Sequence, residues 1–425
     1  MKKVNDICEL LKKENVFLTG GAGVGKSYTT LKVIENFKKM GKNVVALGST
    51  GVSAVAVNGM TVHSFFVFGI ANSLEELEMG DKRSKHRLAE LKKIISNTDL
   101  IVIDEISMIS ASLIDMIAYR LDSMNFLGKI LFVGDFFQLS PIVKHKENVG
   151  LFDSLLFAFE SSSWQNFAPV TVELTKMHRT HDIDFTKILS KIRKGEADTQ
   201  VIEYIKLLQQ NTALENSTYL FGKNEHVENM NRDRLAELSS PAVTLIAQNS
   251  SIKNVHESKV ANWQKSLPVS DTLTLKVGAP VLFCVNKWGK YANGERGIIK
   301  EITAEAVIVE KNDSFVRVEP HVFELGEFHA DSDGKLKSIT LATMSQFPLK
   351  LAYAITIHKS QGMSIDNLVC NVDNIFTPSQ FYVALSRATN PKTLKVDYNG
   401  SNLEYYLKRV ISIDKRVVEF YNSVI

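Results

Sequence analysis

The octapeptide Gly20-Gly21-Ala22-Gly23-Val24-Gly25-Lys26-Ser27 constrains this chain more than any other stretch. It fits the pattern G-x-x-x-x-G-K-[S/T] in full. It lies between an apolar run, Asn15–Thr19, and a helical period over Lys26–Met40 with Leu31, Ile34 and Phe37 on one face. A strand, a glycine-rich turn and a helix start, in that order, make a polyphosphate cradle. The glycines let backbone N–H groups face the anion, and the helix N-terminus adds its positive end. Nucleotide contacts are therefore expected from Gly21, Ala22, Gly23, Val24, Gly25, Lys26, Ser27 and Tyr28. The Lys26 ammonium would reach the β- and γ-phosphates, and the Ser27 hydroxyl would ligate Mg²⁺.

An acidic element belongs beside such a cradle. Leu100-Ile101-Val102-Ile103-Asp104-Glu105 ends a buried-strand candidate in two carboxylates. There Asp104 is expected to hold the metal, through water, and Glu105 to orient or deprotonate the attacking water. The reaction class is nucleoside triphosphate hydrolysis. Further apolar runs at Asn43–Gly48, Lys129–Gly134, Val170–Leu174, Thr218–Gly222 and Asn367–Val372 alternate with helical periods. That alternation predicts an α/β chain with doubly wound parallel sheets, ligands lying beyond the carboxyl ends of the strands. From about 255 to 345 the texture changes to β-rich stretches with turns at Asn293-Gly294 and Gly297. A small antiparallel barrel, inserted into the second parallel region, is expected there.

Composition narrows the partners. At about 150 residues per domain, the chain of 425 residues fits two to three domains. Lys plus Arg exceed Asp plus Glu by only 50 to 47, so a nucleic-acid footprint has to be local. Cys8, Cys284 and Cys370 lie far apart and form neither a disulfide framework nor a zinc site. No run approaches the roughly 18 apolar residues of a membrane span, and the expected location is the cytoplasm.

Later segments make the pattern specific. Val133-Gly134-Asp135-Phe136-Phe137-Gln138-Leu139-Ser140-Pro141, following Asp104-Glu105-Ile106-Ser107-Met108, resembles motifs III and II of superfamily 1 helicases. Thr356-Ile357-His358-Lys359-Ser360-Gln361-Gly362-Met363-Ser364 resembles motif V, and Tyr382-Val383-Ala384-Leu385-Ser386-Arg387-Ala388 resembles motif VI. With the lead-in Gln346–Ala352 and the barrel signatures Val277–Val281 and Asn293–Gly297, the chain resembles the petite-integration-frequency (PIF) family. These are superfamily 1B DNA helicases related to the phage Dda and RecD-type helicases.

The resemblance implies two RecA-like P-loop NTPase domains. The first would span 1–168, with a small wedge insertion at about 64–96; the second would span 169–254 and 346–425, interrupted by an SH3-like β-barrel at 255–345. It implies an ATP- and Mg²⁺-dependent, monomeric 5′→3′ translocase that unwinds duplex or structured DNA, with no membrane partner. Gln138 becomes the γ-phosphate sensor, Arg179 and Arg387 become fingers reaching from the second lobe, and Gly362 falls at the nucleotide. Phosphoryl transfer needs such positive charge at the departing phosphate.

The same resemblance lays out a DNA track. Thr50 and Gly51 fall in a motif Ia look-alike, and His63, Ser64 and Phe65 in a motif Ib look-alike. Lys223 and Asn224 follow a second-lobe strand, and His358, Lys359 and Ser360 open motif V. Single strands are held by backbone contacts and aromatic stacking, so Thr50 and Ser64 are read as phosphate donors, with His63 and Phe65 near bases. By composition alone, Phe65-Phe66-Val67-Phe68 reads as core. Asp81–Lys93, with six Lys/Arg against two Asp/Glu, reads as a duplex-splitting wedge or as a solvated helix face.

Three departures from the family stand out. Met1–Glu14 lacks the glutamine that reads adenine, Leu113–Gly128 is compact, and Met344 stands where an arginine is frequent. Two rival readings remain: an RNA helicase or nuclease-complex subunit, and a nucleotide-switched DNA-binding remodelling factor that never unwinds. Glu105 and Arg387, both intact, weigh against the switch.

Overall fold

The computed structural model describes residues 2–69, 71–82, 84–141, 156–251, 255–287, 289–331 and 335–424. Six strands, β1 (Val16–Thr19), β2 (Val44–Gly48), β3 (Met60–Thr61), β4 (Leu100–Asp104), β5 (Lys129–Val133) and β6 (Val170–Glu173), form one parallel sheet. Their order is β3-β2-β4-β5-β1-β6. β1, β2 and β4 are buried along their whole length, as unbroken apolar runs must be when helices cover both faces of a sheet. The helix Lys26–Lys39 lies between β1 and β2 in the chain and buries Thr30, Val33, Ile34 and Phe37 on one stripe. Because β4, β5 and β1 are neighbours, the loops at their carboxyl ends converge. These are the glycine-rich loop, Asp104-Glu105 and Gly134–Gln138.

A second parallel sheet runs in the order Ala354–Thr356, Thr218–Phe221, Leu368–Asn371, Leu394–Asp397. Its core takes Phe185, Ile188 and Ile192 from the helix Ile183–Arg193 and Phe381 and Leu385 from the helix Gln380–Leu385.

Between Val243 and Leu351 the pairing is antiparallel. One sheet runs Ser314–Val318, Val307–Lys311, Arg296–Ile302, Pro280–Phe283, Leu349–Leu351, and another runs His321–Ala330, Leu336–Gln346, Gln248–Ser251. They share a core of Val281, Phe283, Ile299, Val309, Phe323 and Met344. Met344 is fully buried in it, which accounts for an apolar residue where an arginine is frequent. The hairpin of His321–Ala330 and Leu336–Gln346 reaches back to the first lobe. There Phe328 meets Phe65 edge-on at 6.2 Å, and the contact of the His329 ring with the Glu90 carboxyl and the ion pair Arg87–Glu327 join the hairpin to the helix Lys85–Ser96.

Two further contacts shape the first lobe. Arg120, 2% exposed, grips Asp81 with two hydrogen bonds of 2.6 Å and donates to the Phe66 carbonyl at 3.1 Å. This ties the helix Leu74–Asp81 to the helix Ala111–Ser123. In the basic segment, Lys82, Lys85, Arg87, Lys92 and Lys93 are exposed while Leu91 is buried; Arg83 lies outside the described residues. The helix Lys415–Val424, which sequence order groups with the second lobe, buries Val417 and Tyr421 in the first lobe's core.

Candidate active site

The glycine-rich loop is shaped by close approach. A Cβ on Gly20 (φ +139) would lie 2.3 Å from the Leu174 carbonyl oxygen, and one on Gly23 (φ +81) would lie 2.6 Å from the Arg179 Cβ. Only glycine tolerates both the backbone and the contact. Lys26 Nζ donates to the carbonyls of Gly20 and Gly21 at 2.6 and 3.0 Å. Burial lowers its pKa, and Asp135 and Glu105 pull the other way.

Glu105 has φ 55 and ψ 50, a left-handed conformation that costs a non-glycine residue about 1–3 kcal/mol. Strain of this kind collects at functional sites. The Glu105 N–H donates to Asp104 Oδ1 at 2.9 Å. Burial and the neighbouring Glu105 push the Asp104 carboxyl up, to about 7; burial also raises Glu105, against the pull of Lys26 and Arg387. Two carboxylates at this depth form a site that a cation would favour.

Arg387, 1% exposed, donates to the carbonyls of Val383 and Ser360 at 2.9 and 3.3 Å and to Ser386 Oγ at 2.8 Å. Arg179 donates to Ser364 Oγ at 2.9 Å and to the Ser386 carbonyl at 2.6 Å. It lies in the segment joining β6, at the edge of the first sheet, to the helix Ile183–Arg193 of the second lobe, from which it was expected to reach. Neither arginine makes an ion pair among the described residues. Burial lowers the pKa of both, and for Arg179 the Arg387 charge adds to it. Two such guanidinium groups in one cleft, neither in an ion pair among the described residues, suit a multivalent anion.

That cleft, of about 300 Å³, is lined by Ala22, Gly23, Gly25, Lys26, Ser27, Tyr28, Glu105 and Gln138 on one side and by Arg179, Gly362, Ser364 and Arg387 on the other. Gly21, Val24 and Asp104 stand behind its wall, the last two each 7% exposed.

Three contacts that span the lobes include residues that sequence reasoning did not single out. Gln361 Nε2 donates to Glu105 Oε2 at 3.0 Å. The Ala22 N–H donates to the Tyr382 hydroxyl at 2.8 Å. Arg193 donates to both oxygens of Asp135, at 3.0 and 2.9 Å. Gln361 and Tyr382 sit within motifs already marked, so polarity next to an assigned residue could have found them. Arg193 ends a helix, where a basic residue reads as a complement to the dipole.

The residues predicted for DNA do not share one surface. Gly51, His63 and Ser64 line a groove of about 730 Å³ against the helix Glu257–Ser266, whereas Lys359 lines another of about 1120 Å³ with Asn231 and Lys350. Ser266 lines both and stands over motif Ia, where a Cβ on Gly51 would lie 2.4 Å from its carbonyl oxygen. The Thr50 side chain is engaged in a capping box with Ser53. Lys223, Asn224 and Lys359 are exposed, and His358 is half-buried. Two placements differ from expectation. Phe65 is 4% exposed and packs on Phe66 and Phe328, so it is core, as its apolar neighbours indicate, and presents no face to a base. Ser360 is fully buried, its hydroxyl donating to the Ile357 carbonyl at 2.7 Å, so no phosphate reaches it.

Two parallel-sheet lobes with a phosphate loop, an acidic strand end and paired arginines around one cleft define a two-lobed phosphate-loop nucleoside triphosphatase. Comparison makes the class specific. The sequence profile of PIF1-like helicases matches residues 1–203, and a second helicase profile matches residues 295–419. Over 430 residues the chain is 42% identical to ATP-dependent DNA helicase Pif1 of Campylobacter jejuni, covering 98% of this chain and 96% of that protein. A crystal structure of Bacteroides sp. Pif1 in complex with ADP-AlF4 matches with TM-score 0.85 and 26% identity, covering 100% of this chain and 96% of that one. Bacteroides Pif1 bound to ssDNA matches with TM-score 0.67, 26% identity and the same coverage. The chain belongs to the PIF1-like family of ATP-dependent DNA helicases.

Proposed function

We propose that this chain is a 5′→3′ translocase on single-stranded DNA that unwinds duplex or structured DNA by closing and opening its lobes around ATP. The observation that carries the reading is the pair of arginines, half-buried Arg179 and buried Arg387, neither in an ion pair among the described residues, facing Lys26 and Glu105 across one cleft. Lys26 holds the β- and γ-phosphates, Gln138 senses the γ-phosphate, Glu105 activates the water, and the two arginines neutralise charge on the departing phosphate. Ser27 and Asp104 supply hard oxygen donors that fit Mg²⁺. Among the described residues no group of three or more His, Cys, Asp or Glu forms a metal cage. Mg²⁺ commonly binds through one or two protein oxygens with the rest from phosphates and water, which matches that donor set.

The three-body division belongs to the same proposal: a first lobe that takes in β6 (Val170–Glu173) beyond the expected boundary at 168, a second parallel lobe, and an antiparallel domain that begins at Val243 rather than 255, with Lys415–Val424 as an arm returning to the first lobe. So do a monomeric state and a cytoplasmic or nucleoid location; no helix among the described residues is long and apolar enough to cross a membrane. Thr50, Gly51, His63, Ser64, Lys223, Asn224, His358 and Lys359 are proposed for the DNA track, brought together when the helix Glu257–Ser266 moves off motif Ia. The deciding experiment is ATP-dependent strand separation on one duplex with either a 5′ or a 3′ single-stranded tail. Unwinding only from the 5′ tail is expected. Preference for the 3′ tail overturns the polarity, and DNA-stimulated hydrolysis without unwinding of either favours the remodelling reading.

A further inference from the structure

We infer that Arg193 is a positioning residue for hydrolysis: from the second lobe it holds, through Asp135, the amide of Gln138. The inference rests on the reading of Gln138 as the γ-phosphate sensor. Arg193 ends the helix Ile183–Arg193, whose apolar face lies in the second lobe's core. Its guanidinium crosses to the first lobe and meets Asp135, which is fully buried. Nε donates to Oδ2 at 3.0 Å and Nη2 to Oδ1 at 2.9 Å, a two-point fork. The same Oδ2 accepts from Gln138 Nε2 at 3.4 Å, and Oδ1 accepts from the Phe137 N–H at 3.2 Å. One carboxylate thus ties together the arginine of one lobe and the amide of the other.

The guanidinium is fixed on its flat sides as well. It lies 4.5 Å from the Phe137 ring centre and 5.6 Å from that of Tyr421. Its Nη1 is 3.7 Å from a Glu173 oxygen, and its Cδ would lie 3.8 Å from a Cβ on Gly21 of the phosphate loop. A buried carboxylate stripped of its only cationic fork is strongly disfavoured, so Asp135 follows Arg193 when the lobes shift. Gln138 follows Asp135. The spacing of the lobes therefore sets where the sensing amide points. Lysine cannot replace arginine here, because the fork and the ring contacts both need a planar guanidinium.

The test is steady-state ATP hydrolysis with saturating single-stranded DNA for wild type, Arg193→Lys, Gln138→Ala and the double variant. Arg193→Lys keeps the charge, and its kcat is expected to fall about tenfold or more with KM for ATP nearly unchanged. In the Gln138→Ala background the same change is expected to have no further effect. An undiminished effect in that background, or a change confined to KM, overturns the inference. Wild-type kcat in Gln138→Ala alone overturns instead the reading of Gln138. If Arg193→Lys melts early, the pair Arg193→Gln with Asp135→Asn removes both charges. It should regain stability with kcat still low, and recovery of kcat as well refutes the role.

Discussion

The arm Lys415–Val424 is predicted to stabilise the nucleotide lobe rather than the lobe it follows in sequence, and Tyr421 makes this measurable. The ring is 5% exposed, stacks on Phe137 at 4.5 Å and lies 6.4 Å from Phe17 of β1. Its hydroxyl shares a hydrogen bond with Thr19 Oγ1 at 2.7 Å and accepts from the Phe136 N–H at 3.2 Å. Tyr421→Phe leaves that buried N–H without its acceptor, a loss of about 1–3 kcal/mol. Tyr421→Ala also removes a core ring, for a total near the ~3–5 kcal/mol range of large aromatic truncations. Native-state hydrogen exchange resolves where the loss falls, because amides report the opening of their own region. Amides of β1 and β5 should exchange roughly a hundred- to several-thousand-fold faster in Tyr421→Ala, and those of Leu368–Asn371 should stay close to wild type. Acceleration confined to Leu368–Asn371 would refute the argument, since it would place the arm's energy in the second lobe.

Other expected outcomes follow from the same geometry. Arg120→Ala leaves Asp81 without its fork; thermal or urea unfolding should show a loss of about 3 kcal/mol, the lower end for a broken buried pair because Asp81 is partly exposed. Glu105→Gln should abolish ATP turnover while nucleotide and DNA affinities, read by fluorescence titration, stay near wild type; unchanged turnover would remove Glu105 from the water-activating role. Lys26→Ala should weaken both nucleotide binding and hydrolysis. Burial raises the Asp135 carboxyl, but Arg193 and Lys26 more than reverse this and leave it below the ordinary range. A depressed carboxyl contributes stability that is present above its unfolded value of about 3.9 and is lost as pH falls through the folded value. Without Arg193 the largest counterweight to burial is gone, and Lys26 and the Phe137 N–H remain. The stability gap between wild type and Arg193→Gln should therefore be widest near neutral pH and narrow toward about pH 4, and a gap constant with pH would contradict the coupling.

The parallel strands could be read directly because each is an unbroken apolar run, and the phosphate loop because its glycines, lysine and serine have no other economical arrangement. Strand ends are where such sheets place chemistry, so Asp104, Glu105 and Gln138 were legible with them. What stayed hidden depends on which surfaces meet. Nothing in Val417, Phe420 and Tyr421 says which lobe they cover, since an apolar stripe fits either core. The hairpin His321–Ala330 and Leu336–Gln346 shows its strand pattern but not that its tip reaches Glu90 and Phe65. Phe65 shows the limit from the other side: its motif neighbours favoured a base contact, its apolar neighbours favoured the core, and burial at 4% exposure decided for the core.

The contacts that sequence missed are the ones that join the lobes, and this is physically coherent. The phosphate loop is a local pattern, so Lys26 is recognisable from its own octapeptide and the strand and helix that flank it. A residue that couples two bodies is defined by its partner, so Arg193 is an ordinary helix-end arginine until Asp135 lies 2.9 Å away. Gln361 on Glu105, Tyr382 on Ala22 and Arg193 on Asp135 bring the second lobe to each of the three strand-end loops of the first. A nucleotide bound in the cleft between them would touch the loops that carry all three. That makes lobe spacing the variable through which binding, hydrolysis and release would be felt at the helix Glu257–Ser266 over motif Ia.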